Sequence, residues 1–465
     1  MILPLGTAVV LLAIIAFGGR TEASLSLITT VLWGAILATL TAQAVRLWQR
    51  HKEPASHPEP PSGVLSKLAL LTLFSWGAFV LLQWIGFHNP SYRPTTRELT
   101  APLYVLDASS WLPTTANAIR GERYLWLWSG VLLWTFLTAS LVRDRQKIAG
   151  SLFRLFFGFS VLAAIGTFVR LSGSDRILWI FESHTSYFFA TIFYKNHWGS
   201  LSVLMTGLGI GLTFRLWREE RHSGHIPDRT ISFGCLVFVI ALTIPLANAR
   251  GASLALLGLV AALAIALVAQ QKKKQLGWKS ITLTLTGLLA GLSALAYLNQ
   301  NAIETGIERT ERQLNEYTEE GQKYPELRGY LWEDALGAFA DRPWTGWGMG
   351  SYVHIQSVYA GEKLRSLGNG EQPPMVEFAH NDWIQFLVEF GLIGTALLIL
   401  PPILAVIAAF RTGTPGRLAR WMGLGLLALL FTAFLDFPFG NPAIVLAAGW
   451  IGALAFGDAV GVRRR

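Results

Sequence analysis

The sequence predicts an all-α polytopic membrane protein, and three observations carry that expectation. Of 465 residues, 52% are hydrophobic and only 14% are charged, against about 25% charged in soluble domains; mean hydropathy is +0.42. Twelve apolar runs are long enough to cross roughly 30 Å of hydrocarbon. Every second loop between them is short and basic, which is the charge asymmetry that orients membrane proteins.

The runs lie near 2–19, 25–45, 67–87, 124–142, 148–171, 198–216, 231–249, 252–270, 280–298, 383–410, 419–437 and 442–459. The first lacks the basic leader of a signal peptide and is read as a span. Basic residues cluster at Arg46, Arg50, Lys52 and Lys67, at Arg143, Arg145 and Lys147, and at Arg215, Arg218, Arg221 and Arg229. They recur at Lys272, Lys273, Lys274 and Lys279, at Arg411, Arg417 and Arg420, and at Arg463, Arg464 and Arg465. The positive-inside rule then puts both termini in the cytoplasm. The formal net charge of +9 would raise nucleic acid as a partner of a soluble protein. Here much of the excess falls in short loops and sets topology, so no nucleic acid is expected. Eighteen tryptophans fit interfacial belts. Cys235 is the one cysteine, so no intrachain disulfide can form.

Residues 1–298 thus hold nine spans with short loops, 299–382 a large outward loop, and 383–465 the last three spans. The segment 46–66 is a proline-rich cytoplasmic linker. Within the large loop, Ile303, Ile307, Leu314 and Tyr317 recur at helical spacing. A second amphipathic helix reads from about Glu326 to Ala340, stopped by Asp341-Arg342-Pro343 and the glycine-rich GWGMG.

Candidate chemistry collects on the outward side. His380 and Asn381 open HNDWIQFLVEFGLIG, where a polar loop gives way to a helix containing Gly391 and Gly394. An imidazole there either anchors the helix or takes a proton from a sugar hydroxyl. Arg250, in LANARGASLALL, sits between two spans joined by almost no loop. It either snorkels or holds a phosphate or pyrophosphate, and Gly251 beside it permits a close approach. Lys195, Asn196 and His197 in FYKNHWGSL form an anion or sugar site, or an interfacial anchor. Arg170, in the same outer region, reads the same way. Arg328 and the run RPWTGWGMGSY, with Gly346, Gly348 and Gly350, either approach a substrate or pack the loop on the bundle. Asp436, in LDFPFGNPA, orients a cation or caps a turn. No zinc spacing, Walker loop or serine triad is visible in the sequence.

Four of these pieces, in order, resemble the bacterial O-antigen ligase and polysaccharide polymerase superfamily. They are FYKNHWGSL, NARGASLALL (with Ala249 where serine is usual), RGYLWEDALGAFADRPWTGWGMGSY and AHNDWIQFLVEFGLIG. They span roughly residues 180 to 400, and the last is the most specific. The N-terminal third matches in hydropathy only. The resemblance implies an inner-membrane glycosyltransferase with a GT-C-like helical bundle. It would take a glycan from undecaprenyl pyrophosphate at the periplasmic face, with no nucleotide sugar, no cofactor and no metal. The acceptor would be lipid A-core, another lipid-linked glycan or a protein side chain. It further implies that His380 activates the acceptor hydroxyl and that Arg250 holds the donor pyrophosphate. Lys195, Asn196, His197, Arg170, Arg328 and Asn381 would contact substrate, and Gly346, Gly348, Gly391 and Gly394 would set the loop geometry. Lys195 stands where the family often has a basic residue.

O-antigen ligase is the first reading and a polymerase of O-antigen or exopolysaccharide the second. A transporter is disfavoured because the charges gather at one face rather than near the bilayer midplane. A purely structural scaffold is disfavoured by the same concentration of Arg, His and Asn.

Overall fold

The computed structural model describes residues 1–52, 63–89, 92–94, 103–105, 112–183, 188–220, 228–272, 286–287, 327–365, 376–411 and 418–460. In chain order the helices are α1 (Ile2–Ile15), α2 (Glu22–Lys52), α3 (Gly63–Phe87), α4 (Ala118–Leu141), α5 (Arg145–Leu171), α6 (Lys195–Glu220), α7 (Asp228–Leu246) and α8 (Arg250–Lys272). They continue as α9 (Leu327–Asp341), α10 (Tyr352–Tyr359), α11 (Glu362–Arg365), α12 (Asp382–Arg411), α13 (Leu418–Leu435) and α14 (Pro442–Val460). Two short antiparallel hairpins, β1 (Tyr92–Pro94) with β2 (Leu103–Val105) and β3 (Arg176–Ile177) with β4 (Phe181–Glu182), are the only sheet among the described residues. The protein is an all-α polytopic membrane protein: among the described residues ten helices are long and apolar enough to span a bilayer.

Two predicted spans stand apart from those ten. Of the run 280–298 only 286–287 are among the described residues, and the predicted helix around Ile303 to Tyr317 lies outside them. The run 2–19 yields α1 of 14 residues, about 21 Å of helix, short of the roughly 30 Å of hydrocarbon. It stops early because the chain turns at Phe17–Gly19, a 3-10 turn with Gly18 and Gly19 at positive φ. A Cβ on Gly18 would lie 2.4 Å from Asn441 Nδ2, and one on Gly19 would lie 2.8 Å from Pro442 Cβ. Only glycine lets this turn dock against the start of α14.

Helix α6 is the centre of the bundle and is buried over most of its length. Its closest neighbour is α13, and small residues permit the approach: a Cβ on Gly207 would sit 2.6 Å from Gly425 Cα. The largest apolar core joins α1, α2, α4, α5, α6, α13 and α14, with Trp134, Trp198 and Trp450 fully buried within it. A second core, on the other flank of α13, joins α3, α4 and α12 through Phe79, Leu132, Phe386 and Phe390.

Candidate functional site

The segment preceding α12 is fastened to the turn between α13 and α14. Asp382 donates its backbone N–H to Asp436 O at 3.2 Å, and its carboxylate accepts from Phe439 N at 2.8 Å. Asn441 caps α14, its Oδ1 accepting from Ala443 N at 3.0 Å. Two chain turns distant in sequence are therefore held edge to edge, and His380 projects between them from a left-handed backbone position (φ 52°). That conformation is costly for a residue with a Cβ and persists where the surroundings enforce it.

Asp436 is the hub. Its Oδ1 lies 3.2 Å from His380 Nδ1 and accepts from Phe437 N at 3.0 Å. Its Oδ2 accepts from Tyr194 OH at 3.2 Å and from the Asn196 side-chain amide. Burial pushes its carboxyl pKa up. The His380 hydrogen bond and the nearby His197, His380 and Arg328 outweigh that and hold it below the usual carboxylate range. Tyr194 is shifted upward by burial and by the Asp436 charge, so it stays a phenol and a donor. An ionised Asp436 can only accept, so Nδ1 of His380 carries a proton, and in the neutral imidazole the lone pair lies on Nε2. The His380 side chain keeps 28% of its surface exposed, which leaves room for a reactant. Its ring meets Phe437 edge-on at 4.8 Å, and Phe378 stacks on the same Phe437 at 4.3 Å.

The other predicted site residues divide by position. Asn196 reaches the hub directly. Lys195 is half-buried as the first residue of α6. His197 is buried, with Nε2 donating to Phe437 O at 3.1 Å and Nδ1 3.5 Å from the Asn441 amide. Both of its nitrogens are thus used internally. Asn381 is buried too, and its Oδ1 accepts from Trp383 N at 3.0 Å and Ile384 N at 3.2 Å, capping α12. Both residues support the turn. Arg170 is exposed in the last turn of α5, and among the described residues it makes no hydrogen bond or ion pair to the Asp436 cluster.

Arg250 opens α8 and is exposed. Its neighbours fix its place. A Cβ on Gly199 of α6 would lie 2.4 Å from Ala249 Cβ, and a Cβ on Gly251 would lie 3.2 Å from Leu435 Cβ. Leu435 is therefore the group that approaches the backbone at Gly251, and it directly precedes Asp436. Arg328, in the first turn of α9, donates to Leu435 O at 2.8 Å and so caps the end of α13. Both arginines are thus tied to the α13 terminus at Leu435.

The glycines do something the sequence reading did not foresee. The run 383–410 was expected as one continuous span, slimmed by Gly391 and Gly394. Instead α12 breaks at Gly391 (φ 62°, ψ −171°). An unbroken helix would bond Leu392 N to Val388 O and Ile393 N to Glu389 O. Here Leu392 N and Ile393 N donate to Pro343 O (2.7 Å) and Trp344 O (3.0 Å), while Val388 O and Glu389 O accept from Trp347 N (2.9 Å) and Gly348 N (2.7 Å). The loop backbone is spliced into the helix. Gly346, Gly348 and Gly391 have positive φ, and a Cβ on any of them would fall within 2.5 Å of facing backbone. Gly394, one turn on, would place its Cβ 2.8 Å from Phe390 Cβ.

Sequence reading missed a second charged group beside His380. Glu377 bonds Arg20 Nη2 at 2.9 Å and Arg120 Nη2 at 2.7 Å. Burial raises its pKa, and the two arginines more than reverse that. The available signal was that Arg20 and Arg120 fall in loops predicted to face outward, against the positive-inside bias. An apolar slot of about 200 Å³ is lined by Trp76, Trp128, Trp383, Phe386 and Phe439, and also by Phe456 and Arg143.

Residues 235–399 match a family model described as O-antigen ligase. The matched stretch contains Arg250, Arg328, Gly346, Gly348, His380, Asn381, Gly391 and Gly394, whereas Lys195, Asn196, His197 and Asp436 flank it. No curated protein matches the chain.

Proposed function

We propose that this chain, a member of the O-antigen ligase and polymerase superfamily through residues 235–399, is an inverting glycosyltransferase. It would move a glycan from undecaprenyl pyrophosphate to an acceptor hydroxyl at the periplasmic face of the bacterial inner membrane. Its first assignment is O-antigen ligase, with lipid A-core as acceptor. The observation that carries the reading is the His380–Asp436 pair at one end of a membrane bundle, with the imidazole partly open and oriented by a buried carboxylate.

Displacing a pyrophosphate from an anomeric carbon needs two things. The nucleophile must lose a proton, and the leaving group must be stabilised as charge builds on it. His380 Nε2 takes the proton of the acceptor hydroxyl. The acceptor oxygen forms its bond to the anomeric carbon as the bond from that carbon to the pyrophosphate oxygen breaks, and the leaving oxygen keeps the electron pair. A single displacement inverts the anomeric centre. Asp436 stabilises the imidazolium that forms. Arg250, permanently charged and exposed at the same corner, would receive the pyrophosphate. Arg328 lies close enough to Asp436 to affect its charge and would add to the cationic field.

A polymerase acting on a lipid-linked repeat would use the same chemistry, and the AHNDW form of the signature around His380 is the feature favouring it. The deciding experiment is transfer in vitro from a polyprenyl-pyrophosphate glycan to lipid A-core or to a second lipid-linked repeat. A single glycan block on lipid A-core is expected for the ligase, and a ladder of repeats on the carrier for the polymerase. His380→Ala and Arg250→Ala are each expected to abolish transfer while inserting normally into the membrane. Substantial turnover by either variant would sink this mechanism.

A further inference from the structure

Glu377 holds two guanidiniums, one on each carboxylate oxygen: Arg20 from the α1–α2 turn and Arg120 from the first turn of α4. Two arginines against one carboxylate leave a formal charge of +1. Arg20 also lies over the Phe378 ring at 5.2 Å, and Phe378 stacks on the Phe437 that His380 touches. Arg120 lies over Tyr124 at 5.6 Å. Its Nε is buried and has no hydrogen-bond partner. A fork of two guanidiniums with a spare donor suits the several oxygens of a phosphate better than the two of a carboxylate.

The fork and the apolar slot share helix α4. Arg120, Tyr124 and Trp128 follow one another at a spacing of four along α4, hence on one face. Trp128 lines the slot, about 12 Å below Arg120 along the helix. The slot lies among α3, α4, α12, α13 and α14, whereas Arg250 opens α8, whose Gly251 meets Leu435 at the end of α13.

We propose that Arg20 and Arg120 are the phosphate seat of a second lipid substrate. That substrate is the acceptor, a phosphate-bearing glycolipid with one of its chains in the slot. Glu377 occupies the seat in the absence of that lipid and is displaced by the phosphate. The assignment to the acceptor rests on the reading of Arg250 as the donor's anchor, because two lipid reactants need separate seats.

The test is equilibrium binding to the full-length protein in nanodiscs. The probes are lipid A, lipid A stripped of its phosphates, and polyprenyl pyrophosphate. Wild type is expected to bind intact lipid A about tenfold or more tightly than the stripped form, the scale of one charge-assisted contact. The Arg20→Gln/Arg120→Gln double variant is expected to lose that preference while binding polyprenyl pyrophosphate as wild type does. Equal binding of the two lipid A forms by wild type overturns the proposal, and this arm needs no variant to fold. A loss of polyprenyl pyrophosphate binding in the double variant also overturns it, by assigning the fork to the donor. If Arg250→Gln leaves polyprenyl pyrophosphate binding intact, the donor reading fails, and the lipid A comparison still decides whether the fork is a phosphate seat.

Discussion

On the proposed mechanism Asp436 decides which nitrogen of His380 faces a reactant, so its removal should cost rate rather than affinity. Asp436→Asn is expected to lower kcat by about 10²–10⁴, the usual contribution of a positioned proton acceptor, with the KM for donor nearly unchanged. Initial-rate kinetics in nanodiscs check this split. Acid should also loosen the fold around the site. His354 is shifted down from the ordinary 6.5 to about 4, by burial first and by Arg120 second. The unfolded chain therefore binds a proton between those values while the folded chain does not. Stability is complete above about 6.5 and is lost as pH falls toward 4. The depressed carboxyls of Asp436 and Glu377 add stability above their unfolded values, and it is lost as pH falls through their lowered folded values. Melting temperature should thus drop on acidification, and His354→Gln should flatten the limb between pH 6.5 and 4. Single polar residues such as His380, Arg250 and Asp436 stand out in the sequence because their type and setting are unusual. The bonds of Asp436 do not, because its partners Tyr194, Asn196 and His380 lie 242, 240 and 56 positions away.

Helix α9 was legible to within a residue because its apolar stripe and its Asp-Arg-Pro stop are both local signals. The break in α12 was not. Its run is uniformly apolar, and the backbone that replaces its missing hydrogen bonds comes from 343–348, more than forty positions earlier. Glycine alone marks the place, and glycine in an apolar run has several other uses. The break makes a sharp prediction. Gly391→Ala places a Cβ 2.4 Å from Trp344 C and O in a left-handed conformation. It should destabilise by at least about 1–3 kcal/mol and lower the melting temperature by several degrees. Gly258→Ala on α8, where a Cβ meets nothing within 4 Å, should be neutral or slightly stabilising. Thermal unfolding in the same nanodiscs compares the two, and equal melting of the two variants would argue against the break.

At the scale of the molecule, the helical membrane fold was plain from hydropathy, whereas the orientation rests on loop charge alone. Cys235 is the only cysteine, so a Cys235→Ser background permits a clean test. Glu362→Cys should react with a membrane-impermeant maleimide from the periplasm. Arg46→Cys should react only once the inner membrane is opened, and the reverse order would invert the topology. The spliced loop also bears on how reactants arrive. Raising it would strip partners from Val388 O, Glu389 O, Leu392 N and Ile393 N, at several kcal/mol for each group left bare in hydrocarbon. A loop joined to a membrane helix in this way does not open upward like a trapdoor, so on the proposed function lipid-borne reactants would slip in from the surrounding bilayer, edgewise between neighbouring helices.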